Sequence, residues 1–308
     1  MISGIRSFLP LFMVLTTLTF AACKKEKLVV PNNTINPLEG IPSAVIENYV
    51  NRLFIDLIGR EPLDIEMDAE VAKLKENDLN EETRIDLIRR LQLDTTFVEG
   101  DGSYSQAYYH RFYELSKVRM IEAASNGVIN QSIGNLTNGI FRDSLEGDSV
   151  KMQIGKAERQ KLIHVIEMEE QFMRDSIDIR EVFARLVNNA IYDQINMNTF
   201  NFINATFDNL YFRFPTKNEF NASYEMIQNN VSTTVLGKPG QNKGDYIEIV
   251  SNSLEFYQGI IMWMYTTLMS RSPDASEINA ILPEFVETKN FQWMQEQILK
   301  TDEYANFD

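Results

Sequence analysis

An arginine and a glutamate recur six residues apart at three places in the chain, with a proline between them each time. The three sets are Arg60, Pro62 and Glu66; Arg213, Pro215 and Glu219; and Arg271, Pro273 and Glu277. A guanidinium and a carboxylate can form a bidentate ion pair. Because proline interrupts a helix, we expect each pair to span the corner between two helices. We interpret each set as a structural brace, with a functional ion-pair site as the alternative.

Other residue patterns that could support catalysis or metal binding are sparse. The two histidines, His110 and His164, belong to no His-Glu-x-x-His or Glu-x-x-His pattern, and the chain has a single cysteine. We therefore expect no metal site. The sequence also has no Gly-x-Ser-x-Gly elbow and no Gly-Lys-Ser/Thr phosphate loop, so we expect no cofactor. Carboxylates are abundant, and a hydrolase that uses an Asp/Glu pair stays open as an alternative.

A tyrosine-rich segment over residues 104–122 is a second candidate for ligand contact. Its aromatic side chains include Tyr108, Tyr109, Phe112 and Tyr113. Such a stripe either packs in the core or presents a carbohydrate-stacking face. Its helical spacing favours the core.

The residues around each arginine predict the two helices that the brace connects. Before Arg60, apolar side chains follow helical spacing at Val50, Leu53, Phe54 and Leu57. We expect the arginine in the last turn of this helix, where a cation suits the carbonyl end of the helix dipole. The proline is expected at the first position of the next helix. The glutamate then lies about one turn into that helix.

The first copy of this pattern resembles sequences of other exported bacterial proteins. Residues 52–62 read Arg-Leu-Phe-Ile-Asp-Leu-Ile-Gly-Arg-Glu-Pro. This stretch is similar to a helical repeat of unknown function with a Leu-x-Gly-Arg-x-Pro signature in S-layer and haemolysin-like surface proteins. It also resembles the opening of large planctomycete domains of unknown function, often found beside cytochrome c modules. The resemblance implies a helical hairpin and no agreed activity, and the chain lacks a Cys-x-x-Cys-His haem motif.

The triple pattern predicts an all-α fold built from related helical hairpins. Each copy continues into a second amphipathic run that ends before an aromatic residue, at Phe97, Phe256 and Tyr304. The hairpin repeats are expected over residues 43–97, 201–258 and 259–308, with a helical middle region over residues 98–200. Since such hairpins cannot bury their apolar faces alone, we expect them to stack into one body.

Within the middle region the sequence predicts helices of unequal clarity. Residues 104–122 are expected to be helical, and residues 151–197 to form one long helix or two stacked helices. Residues 127–147 are rich in Asn and Gly and are expected to be loop-like. A loop is also expected over residues 237–245, within the second repeat.

The N-terminal residues predict export and lipid anchoring. Arg6 followed by an apolar run is typical of a signal peptide over residues 1–22. Phe20-Ala21-Ala22-Cys23 resembles the lipobox of bacterial lipoproteins, which implies that Cys23 is lipidated; ordinary cleavage that leaves a free cysteine is the alternative. Residues 23–42 are expected to form a flexible tether. The run Lys24-Lys25-Glu26-Lys27 partly resembles a surface-export signal of Bacteroidetes lipoproteins, so the outer membrane is expected and its face stays open.

Four short patterns resemble the Asp-Ser/Thr-apolar O-glycosylation sequence of exported Bacteroidetes proteins. The hydroxyl residues concerned are Thr95, Ser144, Ser149 and Ser176. Two of them fall in the stretch over residues 143–150 that is expected to be most loop-like, where a glycan is easily accommodated.

The net charge and the predicted cellular location together narrow the classes of function that this protein can have. The formal net charge of -15 argues against nucleic-acid binding, since the sequence has no block of basic residues that could bind the phosphates. Our leading hypothesis is a non-enzymatic outer-membrane lipoprotein that acts as a binding, accessory or scaffold subunit of an envelope complex in export, assembly or surface-glycan handling. Its partners would be the membrane, through the lipid, and an envelope protein or glycan. The alternative is a hydrolase of envelope polysaccharide with an Asp/Glu pair.

Overall fold

A computed structural model describes residues 40–307 of the chain. Helices make up 74% of these residues, in 16 segments, and the strands form two small two-stranded sheets. The all-α prediction is confirmed. The predicted signal peptide, Cys23 and nearly all of the predicted tether lie outside the described residues.

The first repeat contains three helices rather than two. They are α1 (Ser43–Ile58), α2 (Asp64–Glu76) and α3 (Glu81–Leu93). A short antiparallel hairpin of β1 (Phe97–Val98) and β2 (Gly102–Ser103) follows. The third helix arises because Asn80 accepts a hydrogen bond from the Thr83 amide and so caps a new helix start.

From Tyr104 onward the middle region consists of helices joined by short turns, which corrects two expectations from the sequence. Its helices are α4 (Tyr104–Ile121), α5 (Asn126–Leu145), α6 (Ser149–Ile166), α7 (Met168–Met173), α8 (Ile179–Val187) and α9 (Ala190–Asn196). Residues 127–147, expected to be loop-like, lie almost entirely in α5. Residues 151–197 form four helices instead of one or two.

The helix α5 forms despite its Asn and Gly content because packing outweighs local propensity. Ser125 caps its start through the Val128 amide. The helix packs along α6 as an antiparallel pair. The absent side chain of Gly155 in α6 leaves room for Ile140 of α5, since a Cβ there would lie 2.9 Å from the Cγ1 atom of Ile140.

The second and third repeats share a helix. Repeat 2 contains α10 (Thr199–Tyr211), α11 (Lys217–Gln228) and α12 (Lys243–Ser251), and the expected loop carries a hairpin of β3 (Thr233–Val235) and β4 (Lys238–Gly240). Repeat 3 contains α13 (Leu254–Met269), α14 (Ala275–Thr288), α15 (Phe291–Leu299) and the short α16 (Asp302–Ala305). The expected boundary at residue 258 therefore lies inside α13, which closes repeat 2 and opens repeat 3.

Residues 41–307 form one body around a continuous apolar core, and its first and last repeats pack together. Helix α3 contacts α15, and α1 contacts α16. Arg52 of α1 donates to the carbonyl of Tyr304 at 2.9 Å, and the Tyr304 hydroxyl donates to Asp56 at 2.7 Å. Arg84 pairs with Asp302 at 2.7 Å. The repeats therefore close on one another instead of extending as an open stack.

The crossing of α10 and α13 depends on one glycine. A Cβ atom at Gly259 would lie 1.8 Å from the carbonyl oxygen of Leu210, which is backbone and cannot rotate away. The two helices thus approach more closely than any larger residue allows. None of the helices in residues 40–307 is both long and apolar enough to cross a bilayer.

Candidate functional site

Each of the three predicted corners begins with a residue in the left-handed conformation that ends the first helix. These residues are Gly59, Phe212 and Ser270, with φ of 79°, 57° and 56°. The arginine comes next, so it lies beyond the helix end and not in its last turn as expected. The proline precedes the N-cap of the next helix instead of occupying the first helical position. Both differences have the same cause. The left-handed residue ends the helix before the arginine, so the helix has already stopped when the chain reaches the proline.

At the first corner, one guanidinium binds two carboxylates. Arg60 donates from Nη1 and Nη2 to the Oε2 and Oε1 atoms of Glu66 at 2.7 and 2.8 Å. It also donates from Nε and Nη2 to the Oδ2 atom of Asp101 at 2.9 and 2.7 Å. The Leu63 amide donates to Glu66 at 2.7 Å, which ties the start of α2 to the same carboxylate.

The other two corners repeat these contacts. Arg213 donates to Glu219 at 2.9 and 2.7 Å and also binds Glu255. Arg271 donates to Glu277 at 2.8 and 2.6 Å, and to Glu303 at 2.6 Å from both Nε and Nη2. Thus the structure brings together the arginine and glutamate of every set and adds a second acid to each.

Sequence reasoning missed the second acid at all three corners. Glu255 and Glu303 each lie two residues after a capping Ser253 or Thr301, directly before the expected aromatic residue. This spacing was a usable signal in the last two repeats. In the first repeat, Asp101 comes from the turn between β1 and β2 instead. The expected aromatic there, Phe97, is 77% exposed, so it has no part in the corner.

The aromatic residue six positions before each arginine lies under its guanidinium. The guanidinium carbon is 5.5 Å from the ring centroid at Phe54, 5.0 Å at Phe207 and 5.2 Å at Tyr265. These rings are buried. A cation over an aromatic face is stabilised by the ring's quadrupole, which explains why this position is aromatic in every copy.

The pKa values of the corner glutamates indicate that the ion pairs are fully charged. Burial alone would raise the pKa of Glu66, but hydrogen bonds from Arg60, Tyr104 and the Leu63 amide outweigh it and lower the pKa to about 2. Hydrogen bonds from Arg213 lower the pKa of Glu219 to about 2. A carboxylate held so strongly ionised is a poor proton donor. The contacts of each corner join the end of one helix to the start of the next, as the brace interpretation expects.

A groove of about 860 Å³ lies outside the corners. Three separate parts of the chain form it: the end of α3, the middle region at Tyr109 and residues 175–178, and the α14–α15 junction with the start of α15. The groove exists because the first and last repeats close on the middle region. Trp293, half-buried in the first turn of α15, lies in its wall.

Amide and hydroxyl groups form a connected network beneath the groove. Gln292 donates to the Tyr109 hydroxyl at 2.6 Å, and Gln92 donates to the Gln292 carbonyl at 3.2 Å. The Tyr108 hydroxyl donates to the Oε1 atom of Gln295 at 2.6 Å. Tyr108 and Tyr109 are 1% and 4% exposed, so both side chains belong to the core, although Tyr109 also borders the groove. The core interpretation of the tyrosine stripe therefore fits both residues.

Two of the three carboxylates in the groove are engaged by cations. Buried Glu296 accepts from Arg89 at 2.5 and 3.1 Å. Asp178 accepts from the side chain of Arg180 at 3.0 and 2.6 Å and from two amides at the start of α8. Burial would raise the pKa of Asp178, but these hydrogen bonds lower it below the ordinary value. The third carboxylate, Asp175, is exposed.

The remaining predicted residues lie at the surface or outside the described chain. Thr95, Ser144, Ser149 and Ser176 are all exposed. Ser144 lies in helix α5 and Ser149 begins α6, although both were expected in a loop. Ser176 lines the groove.

The histidines lie apart from the groove. His110 lies 3.2 Å from Glu169, and His164 contacts Gln160 at 2.9 Å. Within residues 40–307, no cluster of three or more His, Cys, Asp or Glu side chains is arranged to hold a metal ion. No family model, curated protein or solved structure matches this chain.

Proposed function

We propose that this chain is a non-enzymatic binding lipoprotein of the cell envelope, an accessory or scaffold subunit in export, assembly or surface-glycan handling. The observation that carries this proposal is the groove of about 860 Å³ with Trp293 and Tyr109 in its wall. Its volume is in the range of ligand-binding clefts. Its buried acid is bound by Arg89, while aromatic, amide and hydroxyl groups are available for ligand contact.

The proposal includes a cellular location. The sequence supports a lipid on Cys23, a tether over residues 23–42 and attachment to the outer membrane. The net charge of -15 supports a protein or glycan partner over nucleic acid. The resemblance to helical repeats of exported surface proteins is consistent with this location.

The hydrolase alternative has less support. A glycosidase needs one carboxylic acid with a raised pKa facing a second carboxylate. Tyr109 and three acids do line the groove. However, hydrogen bonds from Arg180 and the backbone lower the pKa of Asp178, and Arg89 binds Glu296. These contacts favour binding over bond cleavage.

Crosslinking in the native membrane tests the proposal. A tagged copy is crosslinked in its own cells, purified from the outer-membrane fraction and analysed by mass spectrometry. We expect a stoichiometric envelope protein or glycan to copurify. The matched control is Cys23→Ala, which should lose both labelling by a palmitate analogue and the membrane fraction. Recovery of the wild-type protein alone would contradict the scaffold role, and equal labelling of both proteins would contradict lipidation.

A further inference from the structure

We infer that the groove binds an uncharged, hydroxyl-rich oligosaccharide segment, with Trp293 as the surface on which a sugar ring packs. This inference rests on the proposed binding function and specifies its ligand class.

The charges of the groove favour a ligand without net charge. Its two cations lie beside acids: Arg89 is paired with Glu296, and Lys289 lies 3.5 Å from Asp178. An anionic ligand would meet cations that are already paired. The third acid of the groove, Asp175, is exposed, so water and salt screen its attraction for a cationic ligand. An uncharged ligand leaves both pairs intact.

The polar groups suit a ligand with many hydroxyls. The Oδ1 atom of Asn290 accepts a hydrogen bond from the backbone amide of Trp293 at 2.8 Å. The side-chain nitrogen of Asn290 takes no part in this cap. Ser176 adds a hydroxyl and Asp175 an acceptor, and both side chains are exposed in the groove. Since a sugar hydroxyl both donates and accepts, it can pair with each of these groups.

The aromatic groups supply the apolar contact that a sugar ring needs. Trp293 is half-buried, and its place in the first turn of α15 is set by the Asn290 cap. Elsewhere in the lining, the hydrogen bond from Gln292 to the Tyr109 hydroxyl fixes two further side chains. An aromatic side chain held in a lining that is already ordered binds with little ordering cost.

Tryptophan fluorescence gives a direct test because the chain has only two tryptophans. Trp263 is buried, 6% exposed, between Phe112 and Phe183, so it should be insensitive to ligand. The intact mature protein is titrated with cellohexaose, maltohexaose, mannohexaose and the hexamer of N-acetylglucosamine. We expect at least one of them to give a saturable change in emission. The change should disappear in Trp293→Phe.

Calorimetry on a second variant links the signal to affinity. Trp293→Ala should weaken binding of the responding sugar by about 10-fold or more, equivalent to about 1.4 kcal/mol. The matched control is Phe200→Ala, which removes an exposed aromatic residue outside the groove and should leave the affinity unchanged. Circular dichroism of both variants should match the wild type.

Two results would overturn the inference: no saturable response to any of the four sugars, or undiminished affinity in Trp293→Ala. Neither depends on the membrane crosslinking experiment. If an envelope protein copurifies with wild type and Trp293→Ala alike while no sugar binds, the scaffold proposal stands and the sugar site is refuted. If sugar binds but no envelope protein or glycan copurifies, the groove assignment stands and the scaffold role fails.

Discussion

The first and third corners use the same contacts in different surroundings. In the first, the side chains of Arg60, Glu66 and Asp101 are 26%, 11% and 12% exposed. In the third, Arg271 and Glu277 are 34% and 25% exposed, and the second acid is 51% exposed. The first glutamate also accepts a hydrogen bond from Tyr104 at 2.6 Å.

This difference in exposure indicates that the same motif contributes more to stability at the first corner than at the third. Water screens the charges of an exposed ion pair, and such a pair is worth roughly 0–1 kcal/mol. Removing one partner of a buried pair leaves a desolvated charge and costs about 3–5 kcal/mol. The first corner therefore resembles a buried pair and the third a surface pair, although their hydrogen-bond lengths are nearly equal.

The largest expected effect follows removal of the first guanidinium. Arg60→Ala should lower the free energy of unfolding by about 3 kcal/mol, because Glu66 and Asp101 lose their shared cation while largely buried. Chemical denaturation measures the change. Arg60→Lys serves as the control and should recover only part of it, since an ammonium cannot bind both carboxylates in the same fork geometry. A loss below about 1 kcal/mol would make the first corner equivalent to a surface pair.

Acid should weaken the first corner next. The folded pKa of Glu66 is about 2, below its ordinary value of 4.5, so its ion pair stabilises the fold above pH 4.5. That contribution should be lost as the pH falls from 4.5 to 2. Denaturation at several pH values should show a smaller decline in Arg60→Ala than in the wild type. Parallel curves for the two proteins would refute the role of this pair.

A moderate effect is expected at the third corner. Arg271→Ala should cost about 1 kcal/mol, because Glu277 and Glu303 are accessible to water once the guanidinium is removed. The same denaturation experiment measures it, and added salt should reduce the difference from wild type. If Arg271→Ala lowered the free energy of unfolding as much as Arg60→Ala, burial would not determine how much a corner contributes to stability.

The smallest effect is expected from neutralising the most exposed acid. Glu303→Gln should change the free energy of unfolding by about 0.5 kcal/mol or less, since this side chain is half in water. Asp101→Asn is the matched variant at the first corner and should cost more. A reversed order for the two variants would contradict the comparison.

The sequence was most informative where contacts are local. The arginine and glutamate of each set are six residues apart, and the proline between them constrains the path, so their meeting could be predicted. The second acids could not all be predicted, because Asp101, Glu255 and Glu303 lie 32 to 42 residues from their arginines. Helix α5 was missed for a related reason. Its Asn and Gly residues have low helix propensity, but packing against α6 stabilises the helix. Local propensity does not include that tertiary contribution.

By itself, the sequence determined the helical class, the three corners and the residue types that brace them. Spacing of apolar residues, proline and charge acts over a few residues and is already present in the unfolded chain. Only the tertiary structure decided that repeat 3 closes on repeat 1, with Arg84 bound to Asp302 across 218 positions. The groove depends on that closure, since Gln92, Tyr109 and Trp293 come from separate parts of the chain. Their proximity results from burial of one shared core, a free energy that belongs to the whole body and not to any segment.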